Sequence, residues 1–297
     1  SILFMPLHES GSAGYSDRDQ IVAITGAFIS FVGAAMFLVV EWQRSYSRNE
    51  ATLGDVKYIV GKFDEAIEAY DRALRANSGN VSLLVNKADA LVRLGLYKEA
   101  LEAYDHALEL EPENPAAWSG KGVALKMLNR LEEALECHER AVEMDPDYTV
   151  AWNNKGNILA LMERYEEAIE CYRRATEINP RYEVAHLNQG NILMRLERHE
   201  EALGAFDRVL RLQPNNPDAW RYKGDALTQL GRYSEAVKCY DTAIQLRPSY
   251  AEAWLNRGYA LKEWGRLSGG ARGYDIVRQK EEVLGEDVHV MATLEQY

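Results

Sequence analysis

Residues 149–182 read TVAWNNKGNILALMERYEEAIECYRRATEINPRY, and the chain repeats this pattern at a step of 34 residues. Trp152, Gly156, Ala168, Tyr172, Ala175 and Pro180, or close substitutes, recur before and after it. A fixed period of this length marks a solenoid, whose repeats bury their apolar faces only by stacking on one another. From Ser47 to Leu284 the chain divides without insertion into seven such units: 47–80, 81–114, 115–148, 149–182, 183–216, 217–250 and 251–284.

Each unit encodes two amphipathic helices, so the fold class is all-α. In the first helix, unit positions 4, 8 and 11 are apolar or small, as in Trp118, Gly122 and Leu125, or Trp220, Gly224 and Leu227. At helical spacing these three span about 60° of arc, one stripe for burial. Positions 20, 24 and 27 form the stripe of the second helix, as in Ala66, Tyr70 and Ala73, or Ala236, Tyr240 and Ala243. Alanine there lets paired helices approach closely. Position 32 is Pro112, Pro146, Pro180, Pro214 and Pro248 in successive units; proline cannot continue a helix and marks the turn onward.

Tryptophan, glycine, alanine, an aromatic, alanine and proline in this register resemble the tetratricopeptide repeat, over about four-fifths of the chain. The resemblance implies a right-handed superhelical solenoid of helix-turn-helix units with an inner groove, roughly one turn for an array of this length. Departures lie at the ends. The first unit has Glu50 for the tryptophan and Ser78 for the proline, as expected of a cap. The seventh keeps Trp254 and Gly258 but has Gly270 for an alanine, so a shortened last helix near residues 274–283 is expected, followed by a tail at 285–297.

Ahead of the array, residues 1–20 read as an irregular tail, broken by Pro6, Gly11 and Gly14. Residues 21–40, IVAITGAFISFVGAAMFLVV, carry no charge and, at helical rise, match the roughly 30 Å of a hydrocarbon layer. With Trp42 in an interfacial belt, residues 21–43 read as a single apolar, membrane-type helix. The alternative is a helix buried in a protein assembly. Gly26, Ser30 and Ala34 form a small-residue stripe that would permit self-association. Arg44, Arg48 and Lys57 follow the stretch while only Arg18 precedes it, which places the array in the cytoplasm by the positive-inside rule.

The formal net charge of -12 argues against nucleic acid as a partner. No phosphate-cradling glycine loop, metal-ligand cluster or nucleophile–base pair stands at a recognisable spacing, so no cofactor, metal or enzymatic role is expected. His138, His186 and His199 occupy packing slots held by aromatics elsewhere. Cys137, Cys171 and Cys239 all fall at position 23, where other units have Ala69, Ala103 and Ala205; each reads as a small apolar residue. The basic residues at position 7 (Lys87, Lys121, Lys155, Lys223 and Arg257) read either as packed stems with solvated charges or as a basic row for an acidic partner.

The informative face of the first helix lies opposite its tryptophan, at positions 2, 6, 9 and 13. In a superhelix with first helices inside, these positions line the groove. Position 6 is Asn86, Asn154, Asn188 and Asn256, with Tyr222 interrupting; position 9 adds Asn157 and Asn191, and Asn153 stands beside them. Amides offer donors and an acceptor to an extended peptide backbone, and members of the family that hold extended peptides carry similar asparagine rows. The family's carboxylate-capturing clamp needs basic residues where this chain has Asp218 and Tyr222, so capture of that type is not expected. Two functions follow from the sequence: a membrane-anchored, non-enzymatic scaffold that binds an extended protein segment, or a self-assembling filament subunit, extracellular or on a cell surface, whose apolar helix packs in a protein core.

Overall fold

In a computed structural model, the structure describes residues 17–267, with side chains from residue 32 onward. The described residues form thirteen helices and no strand. They belong to two compact units, Ser1–Leu96 and Tyr97–Tyr297, and each is described by itself.

The first unit contains α1 (Asp17–Ile59), α2 (Phe63–Ala76) and α3 (Val81–Leu94). The apolar stretch and the first helix of the array are therefore one uninterrupted helix of 43 residues, and no break falls between residues 43 and 47. Packing begins at Ser47, which is buried and donates its hydroxyl hydrogen to Ala73 O at 3.0 Å. Glu50, in the tryptophan slot, accepts instead from Arg72 Nε at 2.9 Å across to α2. Before Ser47 the helix stands clear: residues 32–45 are exposed throughout, Met36, Phe37, Leu38 and Trp42 by 64–67% of their surface.

Among the described residues no helix is long and apolar enough to cross a membrane. Residues 21–31 of the uncharged stretch, with Gly26 and Ser30 of the small-residue stripe, have side chains outside the described residues, whereas Ala34 is exposed. The shortened helix expected near residues 274–283, the C-terminal tail and residues 1–16 also lie outside them, whereas residues 17–20, read as irregular, are the first turn of α1.

The second unit contains α4 (Tyr97–Leu110), α5 (Pro115–Met127), α6 (Leu131–Met144), α7 (Thr149–Leu161), α8 (Tyr165–Ile178), α9 (Glu183–Arg195), α10 (His199–Leu212), α11 (Pro217–Gln229), α12 (Tyr233–Leu246) and α13 (Ala251–Leu267). Every helix packs on the next. In addition α5 touches α7, α7 touches α9, α9 touches α11 and α11 touches α13, whereas the even-numbered helices make no comparable contact with one another among the described residues. A two-layer stack whose odd helices crowd together while its even helices splay apart must curve with the odd layer inside.

Packing within a pair is tight because a glycine faces an aromatic ring. A Cβ placed on Gly156 would fall 2.7 Å from Tyr172 Cε1, and one on Gly224 would fall 2.6 Å from Tyr240 Cε1. Both rings are 1% exposed. The tryptophan joins successive repeats: Trp152 Nε1 donates to Pro146 O at 2.9 Å and Trp220 Nε1 to Pro214 O at 2.8 Å. His186 reproduces this bond, its Nε2 lying 3.1 Å from Pro180 O, so it replaces the tryptophan's donor as well as its bulk.

In the first six repeats the turn between the helices passes through the left-handed region at one position, occupied by Gly61, Gly95, Asn129, Glu163, Glu197 and Gly231. There the chain closes the preceding helix; Arg164 N–H reaches back to Leu159 O at 2.9 Å. Glu163 (φ 59°) and Glu197 (φ 58°) carry a Cβ where glycine is at ease. Glu163→Gly and Glu197→Gly should therefore each stabilise the fold by up to about 1 kcal/mol, the gain being limited by the extra freedom of glycine in the unfolded chain. Urea denaturation midpoints measure it; a fall in midpoint for either variant contradicts a strained turn.

Candidate functional site

The odd helices place the asparagine row on the inner layer, where the row divides into two populations. One population is wired into the solenoid. Tyr172 hydroxyl donates to Asn157 Oδ1 at 2.9 Å, and the same oxygen accepts from Asn188 Nδ2 of the next repeat at 3.0 Å. Asn188 Nδ2 also donates to Asn153 Oδ1 at 3.1 Å, so both of its amide hydrogens are committed. The same three-residue connection recurs with a carboxylate at its centre. Tyr70 and Asn86 both donate to Asp55 Oδ1, at 2.8 and 3.1 Å, and Tyr240 and Asn256 both donate to Asp225 Oδ1, at 2.9 and 2.7 Å. Each set ties a second-helix tyrosine, the first helix of its own repeat and the first helix of the next.

Asn153 is 2% exposed and its carbonyl oxygen accepts from Asn188, which sets it among the internal residues of the row. Asn86 and Asn256 spend an amide hydrogen inside the fold. Tyr222 is likewise a packing residue on at least one face, stacking on Phe206 with centroids 5.6 Å apart, and Arg221 lies 4.0 Å over its ring.

The second population is Asn154 and Asn191, half-buried residues whose side chains make no hydrogen bond among the described residues. Asn191 is free because the slot that holds Tyr172 and Tyr240 elsewhere holds Phe206, which has no hydroxyl, in its own repeat. Asn154 is free because the preceding repeat has Val123 where Asn157 and Asp225 supply an acceptor elsewhere. Asn191 lines a concavity of about 430 Å³ together with Asn157, Tyr172, Lys126, Ala160, Leu161, Ile192 and Arg195. Leu161 and Arg195 stand at position 13 of the inward face, but residue type there varies from unit to unit, and Lys126, at position 12, lay off that face; their place on the inner layer brings the three together.

The basic row at position 7 is internally paired. Lys121 Nζ lies 2.6 Å from Asp105, Lys155 3.1 Å from Glu139, Lys223 2.7 Å from Asp207, and in the first unit Lys87 2.6 Å from Asp71. Lys121, Lys155 and Lys223 also sit 5.4–5.7 Å over the tryptophan ring of their own repeat. A charge held between a carboxylate and an indole face is structural, so the row is not a free surface for an acidic partner.

Burial pushes the thiols of Cys137, Cys171 and Cys239 up to about 11, far from thiolate chemistry. Burial lowers His138 to about 4, so it packs as a neutral ring against Gly122. Among the described residues no group of three or more His, Cys, Asp or Glu could hold a metal ion.

Family models described as tetratricopeptide repeat match residues 52–115, 85–149, 149–182 and 187–238, and one described as TPR repeat matches 224–265. The chain belongs to the tetratricopeptide repeat family. Among solved structures it is similar to that of YrrB, described as a TPR protein with an unusual peptide-binding site, at 25% identity and TM-score 0.54 over 65% of this chain and 99% of that one. MamA residues 41 to the end from Desulfovibrio magneticus RS-1 share the fold at 24% identity and TM-score 0.50, over 57% of this chain and 96% of that one. Cut9–Hcn1 of the APC/C hetero-tetramer shares it at 15% identity and TM-score 0.63, over 77% of this chain and 46% of that one. No curated protein sequence matches.

The two asparagine populations predict opposite outcomes. Asn188→Ala removes two hydrogen bonds, leaves Asn153 Oδ1 without that donor, and should cost about 1–3 kcal/mol of stability. Asn154→Ala should change it by less than about 0.5 kcal/mol. Equal losses in chemical denaturation would contradict the division.

Proposed function

We propose that the chain is a non-enzymatic protein-interaction scaffold that holds an extended segment of a partner on the inner layer formed by α5, α7 and α9. The observation that carries this is the pair of uncommitted amides, Asn154 and Asn191, on the same layer as the concavity lined by Asn157 and Asn191. A fold that uses every other amide of the row internally has left these two able to pair with a peptide backbone, reading its shape more than its sequence. The likeness to YrrB, with its peptide-binding site, supports the same reading. In this reading the seven units from Ser47 onward are the binding body, and Asn86, Asn153, Asn188 and Asn256 set the spacing of its helices.

The scaffold is tethered through residues 21–43. Support comes from the uncharged 20-residue stretch and from the exposure, on every side of α1, of Val32 to Val40. Apolar side chains all round a helix need a cover on all sides, which lipid supplies. The charge bias across the stretch favours the array on the cytoplasmic side.

Two measurements test the two halves. Displayed extended-peptide libraries screened on the full chain should yield binders, and Asn154→Ala/Asn191→Ala should weaken them by roughly tenfold; undiminished affinity contradicts the site. In liposome flotation the full chain should rise with the vesicles and Phe37→Asp/Leu38→Asp should remain below. Detergent-insensitive fibres of the full chain in electron micrographs would instead favour a filament subunit.

A further inference from the structure

Over α5, α7 and α9 the inner layer differs from the outer one in charge. In a chain of net charge -12, α5 and α7 contain no aspartate or glutamate. The one carboxylate of α9, Glu183, accepts from Gln213 Nε2 at 2.9 Å. The outer helix α6, by contrast, carries Glu132, Glu133, Glu136, Glu139 and Glu143. Of the cations on α5, α7 and α9, Lys121 and Lys155 are held by Asp105 and Glu139. Lys126 and Arg195 pair with no carboxylate among the described residues; Arg195 donates only to the Tyr165 hydroxyl, at 3.1 Å. Both line the concavity, beside Leu161 and Ile192.

Two uncompensated cations meeting at one depression, inside an otherwise acidic protein, are unlike the repeat's own salt bridges. Every position-7 cation of α5, α7 and α11 finds its partner one repeat away, which is what stability favours; Lys126 and Arg195 are left without one on either side. A carboxylate arriving there would be attracted by both and would meet no neighbouring negative charge from α5 or α7. The exposed apolar surface of Leu161 alongside would take an aliphatic neighbour.

We infer that the concavity between Lys126 and Arg195 selects partners by an acidic side chain, seated beside an aliphatic one in the extended segment held by this layer. This rests on the inner-face reading of function and adds the partner's chemistry to it.

The test uses the full chain and two fluorescein-labelled pools of short peptides, identical except for a central Leu-Glu-Leu or Leu-Gln-Leu, read by anisotropy. The glutamate pool should bind roughly tenfold more tightly, and Lys126→Ala/Arg195→Ala should abolish that preference. Lys126→Glu/Arg195→Glu should turn the preference toward a Leu-Lys-Leu pool, which a merely unfolded variant cannot do. The preference should also shrink with added salt. Equal binding of the two starting pools, lost on Leu161→Arg, overturns the acidic selection and leaves the inner-face reading standing. Binding of neither pool, or binding indifferent to Leu161→Arg, overturns both.

Discussion

The contact on which the rest of the molecule depends is an aromatic ring pressed onto the backbone of a facing helix where that helix has a glycine. With Tyr172 on Gly156 and Tyr240 on Gly224, a single added methyl would lie under 3 Å from the ring. Such contacts fix the distance between paired helices, because interiors at crystal-like density have no slack to absorb an extra carbon. The same contact aims the ring's far end. A tyrosine held this deeply can only extend its hydroxyl across the first helix, where it meets Asn157 or Asp225, and that residue in turn accepts from the next repeat. One ring thus sets the spacing within a repeat and the register between repeats.

Substituting the ring keeps the first task and gives up the second. Phe206 packs on Gly190 as tightly as tyrosine does elsewhere, but has no hydroxyl, and Tyr222 of the following repeat stacks on it in place of a hydrogen bond. His138 fills the slot against Gly122 as a neutral ring. Phe206 thereby releases Asn191, an amide that would have been committed, and Val123, standing where Asn157 or Asp225 would accept, releases Asn154. The surface available to a partner is created by small departures from the repeat and not by the repeat itself. Lys126 and Arg195 belong to the same category, cations for which the regular ladder of ion pairs provides no mate.

The 34-residue period was legible from Trp152, Gly156, Tyr172 and Pro180 because burial and helix termination act on residue type directly, and the first helices from α3 onward begin at that step: Val81, Pro115, Thr149, Glu183, Pro217 and Ala251. The structural role of the cysteines could be read the same way, by comparing one slot across units. The asparagines were only half legible. Their angular position showed the inner layer, yet it could not show that Tyr172, two turns and one helix away, would consume Asn157, or that Asn188 would cap both Asn153 and Asn157. Hydrogen bonds between repeats depend on the closeness of α7 and α9, which is a property of packing. The depression at Lys126 and Arg195 was hidden for a related reason, since those residues come from α5 and α9 and share no repeat position.

Site-specific photocrosslinking tests the central claim most directly, because it asks where on the stack a partner segment lies without presuming its affinity. A benzophenone side chain placed at Leu161, on the inner layer, or at Glu170, on the outer helix α8, is illuminated with the Leu-Glu-Leu peptide pool present. Crosslinks from position 161, suppressed by excess unlabelled pool and scarce from position 170, are the predicted result. Crosslinks predominating at position 170, or equal at both, would contradict an inner-layer site.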